Sequence, residues 1–291
     1  PSGSEWVDQS LGLTHPEDIR RLAAQYFNSA DQLLTLALAA RGPDICTDDV
    51  LSREWALARE LGVRITVHLG HRVTGRRPDG VSRLHRLGLM GPDTTYVHCT
   101  ELISDDFRRV ADTGGSVSVA PYVELLMGHG APPIDRCIAH GIRPTLSVDV
   151  VTSAPGDMFT QMRTALAYTR SRSLDVDVSI PFAPTLGHRD VLSFATIDGA
   201  AAAGLAGKTG SLSIGKDADI ILIRGDDINT MPVIDPVATV VTSADTSNVD
   251  TVLVAGRIVK RHGKLIDVDL PRVRTLANAS RNHVLDAAGF S

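Results

Sequence analysis

Five short apolar segments, ending near residues 39, 68, 98, 120 and 149, alternate with amphipathic stretches of helical period. Strand, helix, strand in steady succession requires each strand to be re-entered from the same end, so the sheet they build is parallel. Two solutions remain open on this count alone. An open doubly wound sheet needs only five strands, whereas a closed (β/α)8 barrel needs three more. No GxGxxG follows any strand, which removes direct support for a dinucleotide-binding sheet.

The segment Val63 to His71 is the most informative of the five. Val63, Ile65, Thr66 and Val67 are β-branched and fit a pleated strand, and the strand ends in His68 and His71. A helix from about Ser52 to Leu61, closed by Gly62, leads into it. The pattern recurs. The strand at 94–98 ends in His98 and the strand at 145–148 runs into Asp149. In α/β proteins ligands bind at the C-terminal ends of parallel strands, which places all three side chains on one rim.

Other helices are expected over Pro16–Phe27, Ser82–Leu87, Asp105–Thr113, Ile134–His140, Met158–Ser171, Asp190–Ala203 and Pro271–Gly289. Residues 122–133 read as a long loop over the same rim. After Gly207 the character changes: 208–224 and 251–260 alternate like antiparallel strands, with Ala255-Gly256 as a hairpin turn.

Two imidazoles and a carboxylate are a ligand set for Zn²⁺, with Fe²⁺ or Mn²⁺ as alternatives. A divalent ion there makes a water acidic enough to supply hydroxide near neutral pH. Asp149 then has two roles open to it, ligand and base. The competing reading makes His68 and His98 core histidines and Asp149 a helix cap. Glu124 and His129, in the segment after the fourth strand, are candidate substrate contacts. His71 is a candidate acid–base group. Thr152 or Ser153 is placed to orient Asp149, and Asp157 to cap the helix that follows.

The segments Thr66-Val67-His68-Leu69, Val97-His98-Cys99-Thr100 and Leu146-Ser147-Val148-Asp149 resemble the fifth, sixth and eighth barrel strands of the amidohydrolase superfamily. The likeness is to its cytosine-deaminase, S-adenosylhomocysteine-deaminase and triazine-hydrolase branch. The stretch Gly210-Ser211-Leu212-Ser213-Ile214-Gly215-Lys216-Asp217-Ala218-Asp219 is similar to that family's G-x-I-x-x-G-x-x-A-D segment.

The resemblance implies a (β/α)8 TIM-like barrel lacking its first strands over residues 1–206. It implies the C-terminal half of a composite β-sandwich over 207–266, and a helix packing on the barrel over 267–291. It makes His68 and Asp149 metal ligands, His98 the group that contacts substrate and polarises the carbon under attack, and Asp149 also the proton shuttle. The implied reaction is hydrolysis of a non-peptide carbon–nitrogen bond, with deamination of an N-heterocycle foremost. Chlorohydrolase or amide hydrolysis is the alternative, and a non-catalytic binding module the second. A dimer is implied by the same resemblance.

Two departures bear on this. The family's first strand carries a His-x-His pair, and none occurs in these 291 residues. With two ligands of about four, tight metal binding by this chain alone is not expected. His71 also stands where many deaminases of this branch carry Glu.

Composition excludes some partners. Lys and Arg number 29 against 34 Asp and Glu, for a net charge of −5, which disfavours nucleic acid and anionic membrane surfaces. No apolar run reaches the roughly 18 residues needed to span a bilayer. Three scattered cysteines and no signal-like N-terminus point to a reducing cytoplasm.

Overall fold

The computed structural model describes residues 18–29, 31–70, 79–174 and 186–290. Its first sheet comprises β1 (Ala37–Ala40), β2 (Arg64–Leu69), β3 (Thr94–His98), β4 (Ser116–Val119) and β5 (Thr145–Leu146). All neighbours are parallel, and the spatial order is β1-β2-β3-β4-β5. Spatial order equals chain order, so the sheet never doubles back. That is the winding of a (β/α)8 barrel rather than of a doubly wound sheet. The five strands form an arc of such a barrel.

Side chains alternate with the pleat. Leu38, Ile65, Val67, Leu69, Tyr96, Val117 and Val119 are at most 1% exposed. They share one cluster with Val50, Leu51, Trp55, Leu84, Phe107 and Val110 from the crossover helices. The opposite face carries Ala37, Ala39, Arg64, Thr66, His68, Thr95, Val97, Ser116 and Ser118, all half-buried or exposed. One face is therefore the core, and the other is a concave surface lined by small and polar groups.

The helix between β1 and β2 runs Asp48–Glu60, four residues earlier than its apolar period suggests. Thr47 caps it, its Oγ1 accepting from the Val50 N–H, and Asp48 and Asp49 meet the positive helix end. Asp48 also accepts from the buried Arg83 guanidinium at 2.9 and 2.6 Å, which ties this helix to the next one, Gly80–Arg86.

Three expectations need correction. Residues 122–133 are not all loop: Pro121–Leu126 is a helix, with Pro121 supplying the fixed φ of a first turn. The expected helix 190–203 is two helices, His188–Phe194 and Ile197–Ala202, broken at Thr196. The Thr196 hydroxyl bonds back to the Leu192 carbonyl at 2.7 Å. Within 208–224 only β6 (Ile220–Ile223) is a strand.

β6 pairs antiparallel with β7 (Val249–Val254), β7 with β8 (Arg257–Arg261) and β8 with β9 (Lys264–Leu265). The β7–β8 hairpin turns through Ala255 and Gly256 at φ 48° and 78°, the left-handed pair of a type I′ turn. The last helix, Leu270–Ala287, is capped by Asp269 and buries none of its residues. Among the described residues nothing covers Val273, Leu276 and Val284, which stay more than half exposed.

Candidate active site

In the arc the strand ends stand level. Leu69 lies opposite His98 in the register, and Val119 opposite Leu146. His68, His98 and Asp149 therefore meet at one rim, in a cleft of about 380 Å³ that Arg41, Asp44 and His129 also line. His71 lies outside the described residues.

The backbone is bent to deliver these groups. His98, Cys99 and Asp149 adopt φ values of 69°, 56° and 65°. The left-handed region costs a non-glycine residue roughly 1–2 kcal/mol, and such strain concentrates at functional sites. Surrounding bonds hold it: the Cys99 N–H donates to the Leu69 carbonyl at 3.1 Å and the Glu101 N–H to the Gly70 carbonyl at 2.8 Å. The Asp149 N–H donates to Ser147 Oγ at 3.0 Å. Ser147 thus helps to set the Asp149 backbone. Asp157 does cap the following helix, accepting from the Thr160 N–H at 2.7 Å.

His98 is 1% exposed. Its Nδ1 lies 3.1 Å from Oε1 of Glu124, which is fully buried and also accepts from the Ala120 N–H at 2.8 Å. Oε1 already acts as an acceptor toward Ala120, which suits Nδ1 as the donor, with Nε2 on the other side of the ring. Nε2 is 3.8 Å from Asp149 Oδ2. Glu124 does not line the cleft. It stands behind His98, fully buried. Its Oε2 has no hydrogen-bond partner among the described residues.

His129 reaches the cleft from the segment after the Pro121–Leu126 helix. Its N–H donates to the Glu124 carbonyl at 2.9 Å and its carbonyl accepts from Thr100 Oγ1 at 2.6 Å. Its ring meets that of His98 edge-on, centroids 5.4 Å apart. One ligand atom each from His98, His129 and Asp149 all lie within 4.8 Å of one another. The His68 ring is 5.4 Å from that of His98. Crowding by protein on one side, then the neighbouring His98, push the His68 imidazole below its ordinary pKa, and Asp149 pulls the other way.

Arg41 and Asp44 are cleft residues that the sequence reading did not single out. Arg41 directly follows β1, and its N–H donates to the buried Glu54 Oε2 at 3.0 Å. Asp44 Oδ2 accepts from the Gly70 N–H at 3.2 Å. A charged residue just past a parallel strand was the available signal.

The model of the amidohydrolase family matches residues 9–259. The chain belongs to the amidohydrolase family. It is 30% identical over 271 residues to a 5′-deoxyadenosine deaminase of Methanothermobacter thermautotrophicus, covering 90% of this chain and 61% of the relative. It is 28% identical over 262 residues to a 5-methylthioadenosine/S-adenosylhomocysteine deaminase of Syntrophobacter fumaroxidans, covering 85% and 58%. The chain thus spans about three fifths of the length of these curated relatives.

Among solved structures, a zinc-bound adenosine deaminase from Xanthomonas campestris superposes with a TM-score of 0.82 at 24% identity, over 91% of this chain and 61% of that one. Atrazine chlorohydrolase from Arthrobacter aurescens, complexed with zinc, gives 0.79 at 20% identity, over 95% and 60%. These likenesses establish the barrel fold. The family is metal-dependent, and the donors at the rim, imidazole nitrogens and a carboxylate oxygen, are those a divalent transition metal takes. The residues present fit such an ion.

Proposed function

We propose that this chain is part of a metal-dependent hydrolase that deaminates an N-heterocycle of the adenosine-like class. The observation that carries the reading is the meeting of His68, His98 and Asp149 at one rim, with His98 Nε2 3.8 Å from Asp149 Oδ2. The named activities of the relatives support the choice of chemistry.

In this proposal His68 and Asp149 hold the metal. Bound there, such an ion would acidify a water near neutral pH. Asp149 is placed to hold a proton at its carboxylate and to return it to the amino group that leaves the ring carbon as ammonia. His98, steered by Glu124, polarises the carbon under attack. Residues 207–266 serve as one half of a composite β-sandwich. A homodimer in the cytoplasm belongs to the same proposal. Cys46, Cys99 and Cys137 are free and buried, which suits a reducing compartment. Among the described residues no helix is long and apolar enough to cross a membrane.

Asp149→Asn in the intact enzyme is the test, with ammonia release scored on adenosine, 5′-deoxyadenosine and a chlorotriazine. The expected result is ammonia from a nucleoside and loss of turnover by at least about 10³-fold in the variant, the scale on which acid–base groups act. Retained turnover removes Asp149 from this role. Chloride release without ammonia selects the chlorohydrolase alternative, which His71 in place of Glu keeps open.

A further inference from the structure

We infer that Arg41 is a specificity-determining residue of the cleft, donating to a carbonyl oxygen on the heterocycle whose amino group is removed. The inference rests on the deaminase reading. It narrows the substrate to an adenosine-like ring that carries a carbonyl as well as the leaving amino group.

The backbone roots Arg41 beside the proposed chemistry. β1 and β2 run parallel with Ala40 level with Val67, so Arg41, one residue on, stands level with His68. Gly42 closes the gap between the two strand ends: a Cβ there would meet the His68 carbonyl oxygen and Val67 Cγ2 at 2.9 Å. The Arg41 N–H is tied to Glu54 Oε2 at 3.0 Å, and Glu54 is 1% exposed. The side chain thus springs from a fixed point next to a proposed metal ligand, and it lines the same cleft as His68, His98 and Asp149. An arginine anchored there reads the ring under attack.

Its charge is left for a ligand to meet. Elsewhere in the chain, arginines of this depth rest on carboxylates: Arg59 on Asp93 at 2.8 Å and Arg224 on Asp227 at 3.0 Å. Among the described residues Arg41 makes no such pair, and its buried Nε has no hydrogen-bond partner. Cys46 is no substitute. Burial, and then Glu54, push its thiol up to about 11, so the sulfur near Arg41 stays neutral. Asp44 shares the cleft, but its Oδ2 accepts from the Gly70 N–H at 3.2 Å. A half-buried cation is costly until it gains a partner. A guanidinium only donates, and it bonds planar oxygen acceptors best. Ile45, Met127 and Val150 give the cleft apolar walls. A flat ring between them with a carbonyl toward Arg41 satisfies both demands. The leaving amino group is itself a donor, so it is turned away from Arg41 and toward Asp149.

The test uses the intact enzyme and nucleosides that differ in their carbonyls. Isoguanosine adds a carbonyl to adenosine, and guanosine exchanges the positions of the two groups. Ammonia release gives kcat/KM for each. One of the two is expected to exceed adenosine at least about tenfold, because a site built to bond a polar group rejects the analogue lacking it. Arg41→Met should bring that ratio to within about twofold of one, while Arg41→Lys, a point charge without the planar fork, keeps part of it. Far-UV circular dichroism checks that both variants are folded. Equilibrium binding of inosine against purine riboside, neither with an amino group to lose, reads the same contact without turnover. If no nucleoside releases ammonia but inosine binds the tighter and Arg41→Met abolishes the difference, the inference stands and the deaminase reading fails. The inference is overturned if neither turnover nor binding discriminates by the carbonyl, or if Arg41→Met keeps the parent's discrimination. It is also overturned if Arg41→Met removes only a preference for a nucleoside monophosphate, which would assign the guanidinium to a phosphate instead of the ring.

Discussion

Alanine at Gly130 should damage the fold far more than alanine at Gly128, two residues earlier on the same segment. Gly130 has φ +119°, and a Cβ there would stand 2.8 Å from both Cβ and Oγ1 of Thr100 and 3.3 Å from Glu101 Oε1. Thr100 is not free to swing away, because its hydroxyl is committed to the His129 carbonyl at 2.6 Å. Backbone strain of about 1–3 kcal/mol then adds to overpacking of about 1–3 kcal/mol, for a total of about 2–6. Gly128 has φ +69° and nothing within 4 Å of its added Cβ. Only the left-handed penalty of about 1–2 kcal/mol applies there. Urea unfolding of both variants, with the m-value unchanged, reads the difference directly. A gap of at least about 1 kcal/mol is expected. Equal stability within about 0.5 kcal/mol would refute the claim that Thr100 fixes this segment.

Asp48 is held below the usual carboxylate range by its bond to Arg83 and then by Arg86. Its folded pKa lies below its unfolded value of about 3.9, so its contribution is present above that value and lost as pH falls through the folded one. Asp48→Asn should remove that share of acid sensitivity below about pH 4 and cost about 1 kcal/mol at neutral pH, a modest value because the carboxylate is half exposed and screened; an unchanged pH profile of unfolding would count against the pair. Glu124→Ala strands the buried Ala120 N–H and should cost about 1–3 kcal/mol, whereas Glu124→Gln keeps the accepting oxygen and should cost less in the same unfolding assay. Trp55 is fully buried and its Nε1 has no partner among the described residues. Trp55→Ala should cost about 3–5 kcal/mol, while Trp55→Phe, which removes the stranded N–H, should cost under half as much by thermal unfolding.

The parallel sheet was readable because each strand is a short β-branched or apolar run closed by Gly, Pro or a polar rim residue. Observed strand ends at Ala40, Leu69, His98 and Val119 fall within a residue of those expected. Asp149 lies three residues beyond the short β5, in its own left-handed turn. The start of the Asp48 helix was missed because apolar spacing was counted and the Thr47 cap was not. Pro121 was read as a strand stop when it also opens a helix. The break at Thr196 was not readable locally. It answers to packing, for Gly199 lies against Thr145 Oγ1 and Gly210 against Ala200. At the rim, His68, His98 and Asp149 were legible as strand-end residues. Glu124 was a candidate substrate contact, and only the fold reveals that the helix turn at 121–124 tucks it behind His98.

The left-handed backbone at His98, Cys99 and Asp149 filters what can replace them. Asparagine and glycine tolerate that conformation, while β-branched residues do not. Drift at position 149 is therefore steered toward residues that keep the chain folded while removing its carboxylate. Chains that keep this fold but lack the carboxylate at 149 lie a single small substitution away, and its loss need not announce itself as loss of structure.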